Sequence, residues 1–539
     1  MSKRPASSPV FSRRITAARP TASEIKARRW HYVSYDRLSA ELGPLRDADP
    51  ADLGLVFVES TAKADRRAYH KRKLALVLSN ERHFALEMAE RGWKILYVGT
   101  DVDIGTALVE VARKHKIARL SCLRPAEREL RQDLEAARRA GLILDELLDE
   151  SWLTTSDDFS AAIKRPPYRM DRFYAHVRKR TGILMERGQP TGGKFSFDAE
   201  NRKPWRGTPV PPVRPRFPPD ELTREVLALV EQRFGDHFGT LEGYAEPASE
   251  ADARAVWDFA RKELLEHFGP FEDAMSVSEP DLFHTKISAL LNLSRVLPRT
   301  VVDDVAADFA AGDLPLPSAE GFIRQVLGWR EFVRHVHEVT DGFREPPLAN
   351  ALGAGRPLPP AYWGTPSGMN CLDTVVATVV RTGHSHHITR LMILGNLATL
   401  AGFSARELSD WFWLAYIDAY DWVVEPNVLG MATYADGGLM TTKPYVSGAA
   451  YINKMSDYCK GCALDPKRAT GEGACPVTAL YWTFLDRNRD ALAGNQRIAM
   501  PLKMAQKKSA KELAALHEHA DHAVSCLARG ERVDAPQRK

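Results

Sequence analysis

The most constraining feature of this 539-residue chain is an alternation that runs from Trp30 to about residue 150. "WHYVSY", "LGLVFVES", "WKILYVG" and "IARLSCL" are apolar runs of strand length. Between them stand stretches with helical spacing: "IGTALVEVARKHK", and "KRKLALVLSNERHFALEMAERG", which closes at Gly92, a residue suited to a helix end. Strands joined through helices run parallel, because each crossover carries the chain back to the edge it left. The pattern predicts a parallel, Rossmann-like α/β domain over 29–150.

The texture then changes twice. Residues 151–222 mix basic residues, aromatics, glycines and prolines, as in "GILMERGQPTGGKFSFDAENRKPWRGTPVPPVRPRFPP". That is too rich in breakers for regular structure and too aromatic for a featureless linker, so an ordered connector packed on its neighbours is expected. From about 223 to 520 helical spacing dominates, in "ELTREVLALVEQRF", "EGFIRQVLGWREFVRHVHEV", "CLDTVVATVVRTG" and "HHITRLMILGNLATLAG". The expected fold class is therefore α/β plus all-α. The basic 1–28 arm, with no acid before Glu24, reads as disordered, and 521–539 reads as a tail.

Composition sets outer bounds. Six cysteines in so long a chain are no disulfide framework and point to a reducing, cytoplasmic setting. No apolar run approaches the ~20 residues that a membrane helix needs. A net charge of +4 allows a local basic groove without announcing nucleic acid.

Three of the six cysteines crowd one polar stretch, "YCKGCALDPKRATGEGACPV", as Cys459, Cys462 and Cys475. Cys459 and Cys462 can turn both sulfurs to one side, and Pro476 follows Cys475 as in many iron–sulfur runs. Cys371, which opens a helix, is the best-placed fourth ligand. Spacing alone leaves zinc and iron–sulfur equally open. Elsewhere "RTGHSHHITRLM" sets His384, His386 and His387 at a helix start, where imidazole suits proton transfer near neutral pH. "YIDAYDWVVEPNVLGM" puts Asp418, Asp421, Glu425 and Asn427 among aromatics, where carboxylates need partners such as a polar cofactor group or a helix cap.

Together these stretches, with "TKPYVSGAAYINKMSDYCKGC", "ACPVTALYWTFLDRNR" and the connector's "FSFDAENRKP", resemble the bacterial iron–sulfur photolyases and cryptochromes, whose repair enzymes act on (6-4) photoproducts. The resemblance spans about residues 50–500 and is weakest at the N-terminal end. It implies a [4Fe–4S] cluster on Cys371, Cys459, Cys462 and Cys475. It also implies FAD among Lys286, Ser288, Asn292, Gln325, Arg330, Asn396, Asp418 and Asn427. His386 and His387 match the repair histidines, with His387 as proton donor and Tyr445 beside them. Arg202 and Tyr451 fall at the DNA side. Trp411 and Trp363 match the electron-transfer tryptophans. Phe412 stands at the intervening position, so a hop must go directly from Trp411 to Trp363 or through Trp413.

A second departure lies at the start of the α/β domain. Relatives read like "LILGDQLS", with a glycine lining the pocket for a 6,7-dimethyl-8-ribityllumazine antenna. Here Tyr35 replaces the glycine and Arg37 the glutamine, while Asp36 and Glu59 match antenna contacts. The resemblance implies a monomeric blue-light (6-4) photolyase acting on UV-damaged DNA. Two alternatives stand beside it: a cryptochrome-like photoreceptor with the same flavin, and a light-independent Fe–S nucleic-acid-binding protein.

Overall fold

A computed structural model describes residues 9–344 and 350–534. Its five-stranded sheet is built from β1 (Arg29–Tyr32), β2 (Leu53–Ser60), β3 (Lys94–Thr100), β4 (Arg119–Leu123) and β5 (Ile143–Leu147). All neighbours pair parallel in the order β3-β2-β1-β4-β5. The apolar run of β2 follows from burial on both faces. Val56 and Val58 pack with Leu108 and Leu130 on one side, and Leu55 and Phe57 with Phe84 on the other. β5 escaped the sequence reading because Ile143 is exposed and Asp145 and Glu146 interrupt its apolar pattern.

Three sequence expectations need correction. The N-terminal arm is not featureless: Pro9–Ile15 and Ala22–Ala27 are helices, the second opened by a Thr21–Glu24 capping box. Phe11, Ile15 and Ala18 recur at helical spacing and bury against Phe84 and Leu222, so apolar burial overrides the basic composition. Residues 1–8 of that arm lie outside the described residues. The connector is more regular than its prolines imply, with helices at Ser156–Ala162 and Met170–Thr181. Phe173, Tyr174 and Val177 of the second are buried. The tail begins later than expected, because one helix continues from Ala510 to Ala528 and seats Leu516, Ala520, Val524 and Leu527 in the main core. Residues 535–539 lie outside the described residues.

The helical part wraps the C-terminal edge of the sheet domain through buried polar links. Lys73 donates to the carbonyl of Trp413 (3.0 Å) and to that of Ala419, and the His70 ring meets the carbonyls of Val379 and Val380 at 3.1 Å. The Ser294 hydroxyl donates to the carbonyl of Asp36 (2.9 Å). These bonds satisfy groups that would otherwise be costly to bury. The connector then crosses the helical domain. Phe197 N–H donates to Glu320, Lys203 N–H to the carbonyl of Pro270, and Arg214 to the carbonyls of Leu282 and His284. No helix among the described residues is long and apolar enough to cross a membrane.

Candidate active site

A cavity of about 320 Å³ opens inside the helical domain. Lys286, Ser288, Asn292, Gln325, Arg330, Asp418 and Asn427 line it, together with His384, His386 and His387. Three helical segments on its wall, Arg324–Arg330, Arg390–Gly395 and Pro426–Ala432, are wound with the wider π spacing. An inserted residue of that kind re-aims side chains and is common at functional sites. Through Thr285, Lys286, Ser288 and His384 the cavity adjoins a cleft of about 540 Å³ that carries Arg72, Arg214, Arg216 and Arg381.

Asp418 anchors the polar wall. It accepts from the Ser288 hydroxyl (2.6 Å) and pairs with Arg390 at 3.0 and 3.1 Å, while its own carbonyl accepts from Asn292 (2.8 Å). Burial alone would raise this carboxyl, but the Arg390 guanidinium, His384 and the Ser288 hydroxyl hold it at about 2. Lys286 has a left-handed backbone (φ 58°) and pairs with Asp281 at 2.9 Å, and His384 approaches the same carboxylate at 3.4 Å. Arg330 lies over the Trp152 ring at 4.0 Å, and its pKa is pushed down to about 10 by burial and by Arg37 and Arg334.

The histidines form a stack that the sequence reading missed in part. The His284 and His386 rings lie 4.2 Å apart at 14°, His386 buried and His284 half-buried. Neither ring nitrogen of His386 has a partner, nor does Nε2 of His284. Burial, with the neighbouring histidines, drives His386 well below the ordinary range and His284 to about 3. His387 keeps a solvent-exposed face at the cavity mouth, yet close packing and the Arg390 and Arg324 guanidiniums push it down to about 4. All three are neutral at pH 7. They wall the cavity with imidazoles that can donate or accept a hydrogen bond.

Other expected residues fall around the cavity, not in its lining. Asn396 is spent on a backbone clamp, exchanging hydrogen bonds with Ser447 at 2.9 and 3.0 Å, so it braces the loop that carries Tyr445. This corrects its assignment as a flavin contact. Tyr451 donates to Asp273 (3.3 Å), and Arg202 reaches Asp198 and, at 3.8 Å, Asp273. Arg202 is exposed, as a phosphate contact needs to be. Glu272, next in the chain, does line the cavity and escaped the sequence reading. It lies in an irregular turn with no periodicity to mark it, and so does His284. Arg390 could have been found, because it follows His387 by one helical turn.

Phe412 lines the cavity and Trp411 packs against it, ring centroids 5.2 Å apart. Trp411 is buried and donates its indole N–H to the carbonyl of Tyr362 (2.9 Å), whose ring it meets at 5.3 Å. Trp363 follows Tyr362 and is 48% exposed, so this aromatic series runs from cavity to surface. Trp413 carries the Arg67 guanidinium 3.7 Å above its ring, a position that disfavours a positive hole there.

Cys371, Cys459, Cys462 and Cys475 all face one small void of about 10 Å³, roofed by Met369, Ile452, Leu464 and Val477. Burial pushes the Cys459 thiol up to about 11 and Cys475 to about 12, and raises Cys371 well above its ordinary value. Such thiols become thiolates only beside a cationic centre. Among the described residues, no group of three or more His, Cys, Asp or Glu meets the geometry of a single metal-ion site.

The antenna residues are corrected by the geometry. Asp36 is consumed by Ser34 (2.6 Å) and Arg37 (2.9 Å), and Glu59 by Arg82 (2.6 and 2.7 Å) and Tyr97 (2.5 Å). Neither lines the cavity of this domain, which measures only about 90 Å³. Ligand pockets begin near ~300 Å³. Tyr35 projects into it and donates to Glu127, and Lys63 clamps both, at 3.0 Å from the Tyr35 hydroxyl and 2.6 Å from Glu127. These residues do not fit a ribityllumazine.

A doubly wound α/β domain joined by a long connector to a helical domain whose cavity sets histidines, arginines and a buried carboxylate among apolar side chains defines the photolyase and cryptochrome class. A bacterial class III photolyase from Agrobacterium tumefaciens superposes with a TM-score of 0.58 at 14% identity, over 93% of this chain and 98% of that one. A Synechocystis cryptochrome gives 0.52 at 15% identity, over 75% and 82%. A family model described as deoxyribodipyrimidine photo-lyase-related protein matches residues 31–245. A (6-4) photolyase of Agrobacterium fabrum is 37% identical over 473 residues, 86% of this chain and 93% of the relative. The chain belongs to the bacterial (6-4) photolyase/cryptochrome family.

Proposed function

We propose that this chain is a blue-light-driven photolyase that repairs (6-4) pyrimidine photoproducts in UV-damaged DNA. The observation that carries the reading is the pair His386 and His387 on the wall of the polar cavity, in a chain 37% identical to a (6-4) photolyase. The cavity residues fit FAD. Buried polar atoms without partners, His386 Nδ1 and Nε2 and Arg330 Nε, stand in or beside its wall, and the adjoining arginine-bearing cleft offers charge for a diphosphate. Asp418, Ser288, Asn292 and Lys286 would hold the cofactor's polar arm, and Asn427 its isoalloxazine edge. When bound and reduced, FAD supplies a photoexcited electron to the lesion and takes it back.

The protein's own part is binding, orientation and proton control. Arg202 and Tyr451, which meet at Asp273 beside the lining residue Glu272, would hold the DNA from which a damaged dinucleotide is flipped. His387, at the cavity mouth, holds the proton that the lesion takes up, and an anionic lesion beside it would raise its depressed pKa toward the working range. Tyr445, on the loop braced by Asn396, closes one side. Trp411, Tyr362 and Trp363 supply an oxidisable route to the surface past Phe412. The four thiols would carry a [4Fe–4S] cluster that ties the loop at 458–477 to the helix at Asn370–Thr382, a structural clamp away from the chemistry.

The test is lesion selectivity. Reduced protein is mixed with oligonucleotides carrying either a (6-4) product or a cyclobutane dimer, then lit with blue light. Restoration of the (6-4) substrate alone is expected; restoration of neither would overturn the reading.

A further inference from the structure

Glu272 and Gln325 form a contact that the repair reading does not use. Gln325 donates through Nε2 to Glu272 Oε1 at 2.6 Å, and both side chains line the cavity. The other oxygen, Oε2, accepts from Asn201 Nδ2 at 3.2 Å and lies 3.7 Å from Arg324. Asn201 comes from the connector, 3.3 Å from the carbonyl of Pro317, and is itself buried. Gly321 permits this approach, since a Cβ there would lie 2.7 Å from Asn201 Nδ2. The carboxylate is therefore fixed from one side by the connector and takes the amide of Gln325 on the other. An ionised carboxylate only accepts, so the Gln325 NH₂ group must turn toward it. The Gln325 carbonyl oxygen is then the atom left for the cavity.

We propose that Glu272 is a positioning residue that locks the Gln325 carboxamide with its oxygen toward the cavity, so that the site offers a hydrogen-bond acceptor to an N–H edge of the flipped base. This rests on the repair reading of the same cavity. Chemistry supports the choice of edge. The 5′ base of a (6-4) product keeps an N3–H, whereas the 3′ pyrimidone ring has lost its own, so an acceptor distinguishes the two. The lock has a proton dependence. Burial raises Glu272 to about 7 against the lowering effects of Arg324 and Asn201, with Asp273 and Asp198 adding to the rise. Asp273 itself is raised by burial, partly offset by Arg202 and Tyr451. His284, at about 3, stays neutral from pH 6 to 8, and a proton taken up by His387 on lesion binding would raise affinity toward low pH, the opposite sign. Protonated Glu272 can donate as well as accept, and the Gln325 orientation is then no longer unique.

The experiment measures affinity of the FAD-loaded protein, in the dark, for a (6-4) duplex and its undamaged counterpart at pH 6, 7 and 8. Wild-type lesion affinity should rise by up to about tenfold across that range, the size of one neutral hydrogen bond. Glu272→Gln should hold the wild-type pH 6 value throughout. Gln325→Leu should show the same loss at pH 8 and no pH slope, and it carries the test alone if Glu272→Gln fails to retain flavin. A pH slope or full pH 8 affinity persisting in these variants overturns the proposal. A wild-type protein that binds damaged and undamaged duplex alike overturns the repair reading instead.

Discussion

The two domains each hold a cavity, and they have gone opposite ways. In the helical domain about 320 Å³ is walled by charges already paired among themselves, Asp418 with Arg390 and Lys286 with Asp281, while His386 and Arg330 keep polar atoms free. In the α/β domain about 90 Å³ remains, and Tyr35, Lys63 and Glu127 are bonded to one another across it. The first is a site organised before its ligand arrives. The second is a site whose polar groups satisfy each other, so that a ligand would have to break buried pairs to enter. What separates a binding cavity from a vestige is where the unspent hydrogen bonds point.

Perturbing the first cavity should have the larger consequences. His387→Ala is expected to lower light-driven repair by about 100-fold or more, the usual weight of a positioned acid, while FAD content measured by absorbance stays at one per chain. Full repair in that variant would remove His387 from the chemistry. Asp418→Ala leaves the half-buried Arg390 without its partner, so the variant should purify with little flavin or little soluble protein. Normal flavin occupancy would show that the wall is not organised as described.

Acid should act on the same wall. His284 and His387 have folded pKa values of about 3 and 4, below the ordinary 6.5, so their contribution to stability is present above pH 6.5 and lost as pH falls toward those values. Asp418, held at about 2, contributes above its ordinary 3.8 and loses that contribution as pH falls through 3.8 toward 2. Flavin release followed by fluorescence should accordingly begin below pH 6.5; retention down to pH 4 would contradict the histidine assignment. In the α/β cavity the expected effect is the smallest. Chromophore extraction should yield FAD and no ribityllumazine, and Tyr35→Gly should admit only weak binding of added lumazine, because Lys63 and Glu127 remain. Stoichiometric lumazine in the wild type would erase the contrast between the cavities.

Much of this was legible in the residues, and the failures have physical causes. The runs that became β1 to β4 were readable because each carries two or more buried residues in an apolar run, whereas β5, with one buried residue among five, carries no such mark. Lys286, Ser288, Asn292, Gln325, Arg330, Asp418 and Asn427 were placed together by resemblance, and the structure brings them to one cavity. Asn396 was misplaced because a motif position says nothing about where an amide spends its bonds. Glu272 and His284 were invisible, since their contacts come from segments far away in sequence, Asn201 and Arg324 for one and the His386 ring for the other. The Phe11, Ile15 and Ala18 spacing was present in the N-terminal arm, but basic composition outweighed so short a pattern.

The central claim, that the helical-domain cavity performs light-driven (6-4) repair, is tested most directly by following one defined (6-4) duplex with reduced, FAD-loaded protein in blue light and in darkness. The account predicts restored pyrimidines only under light, with the His387→Ala protein inert in both. Equal loss of the lesion in darkness, or no loss under light from a flavin-replete protein, would contradict it.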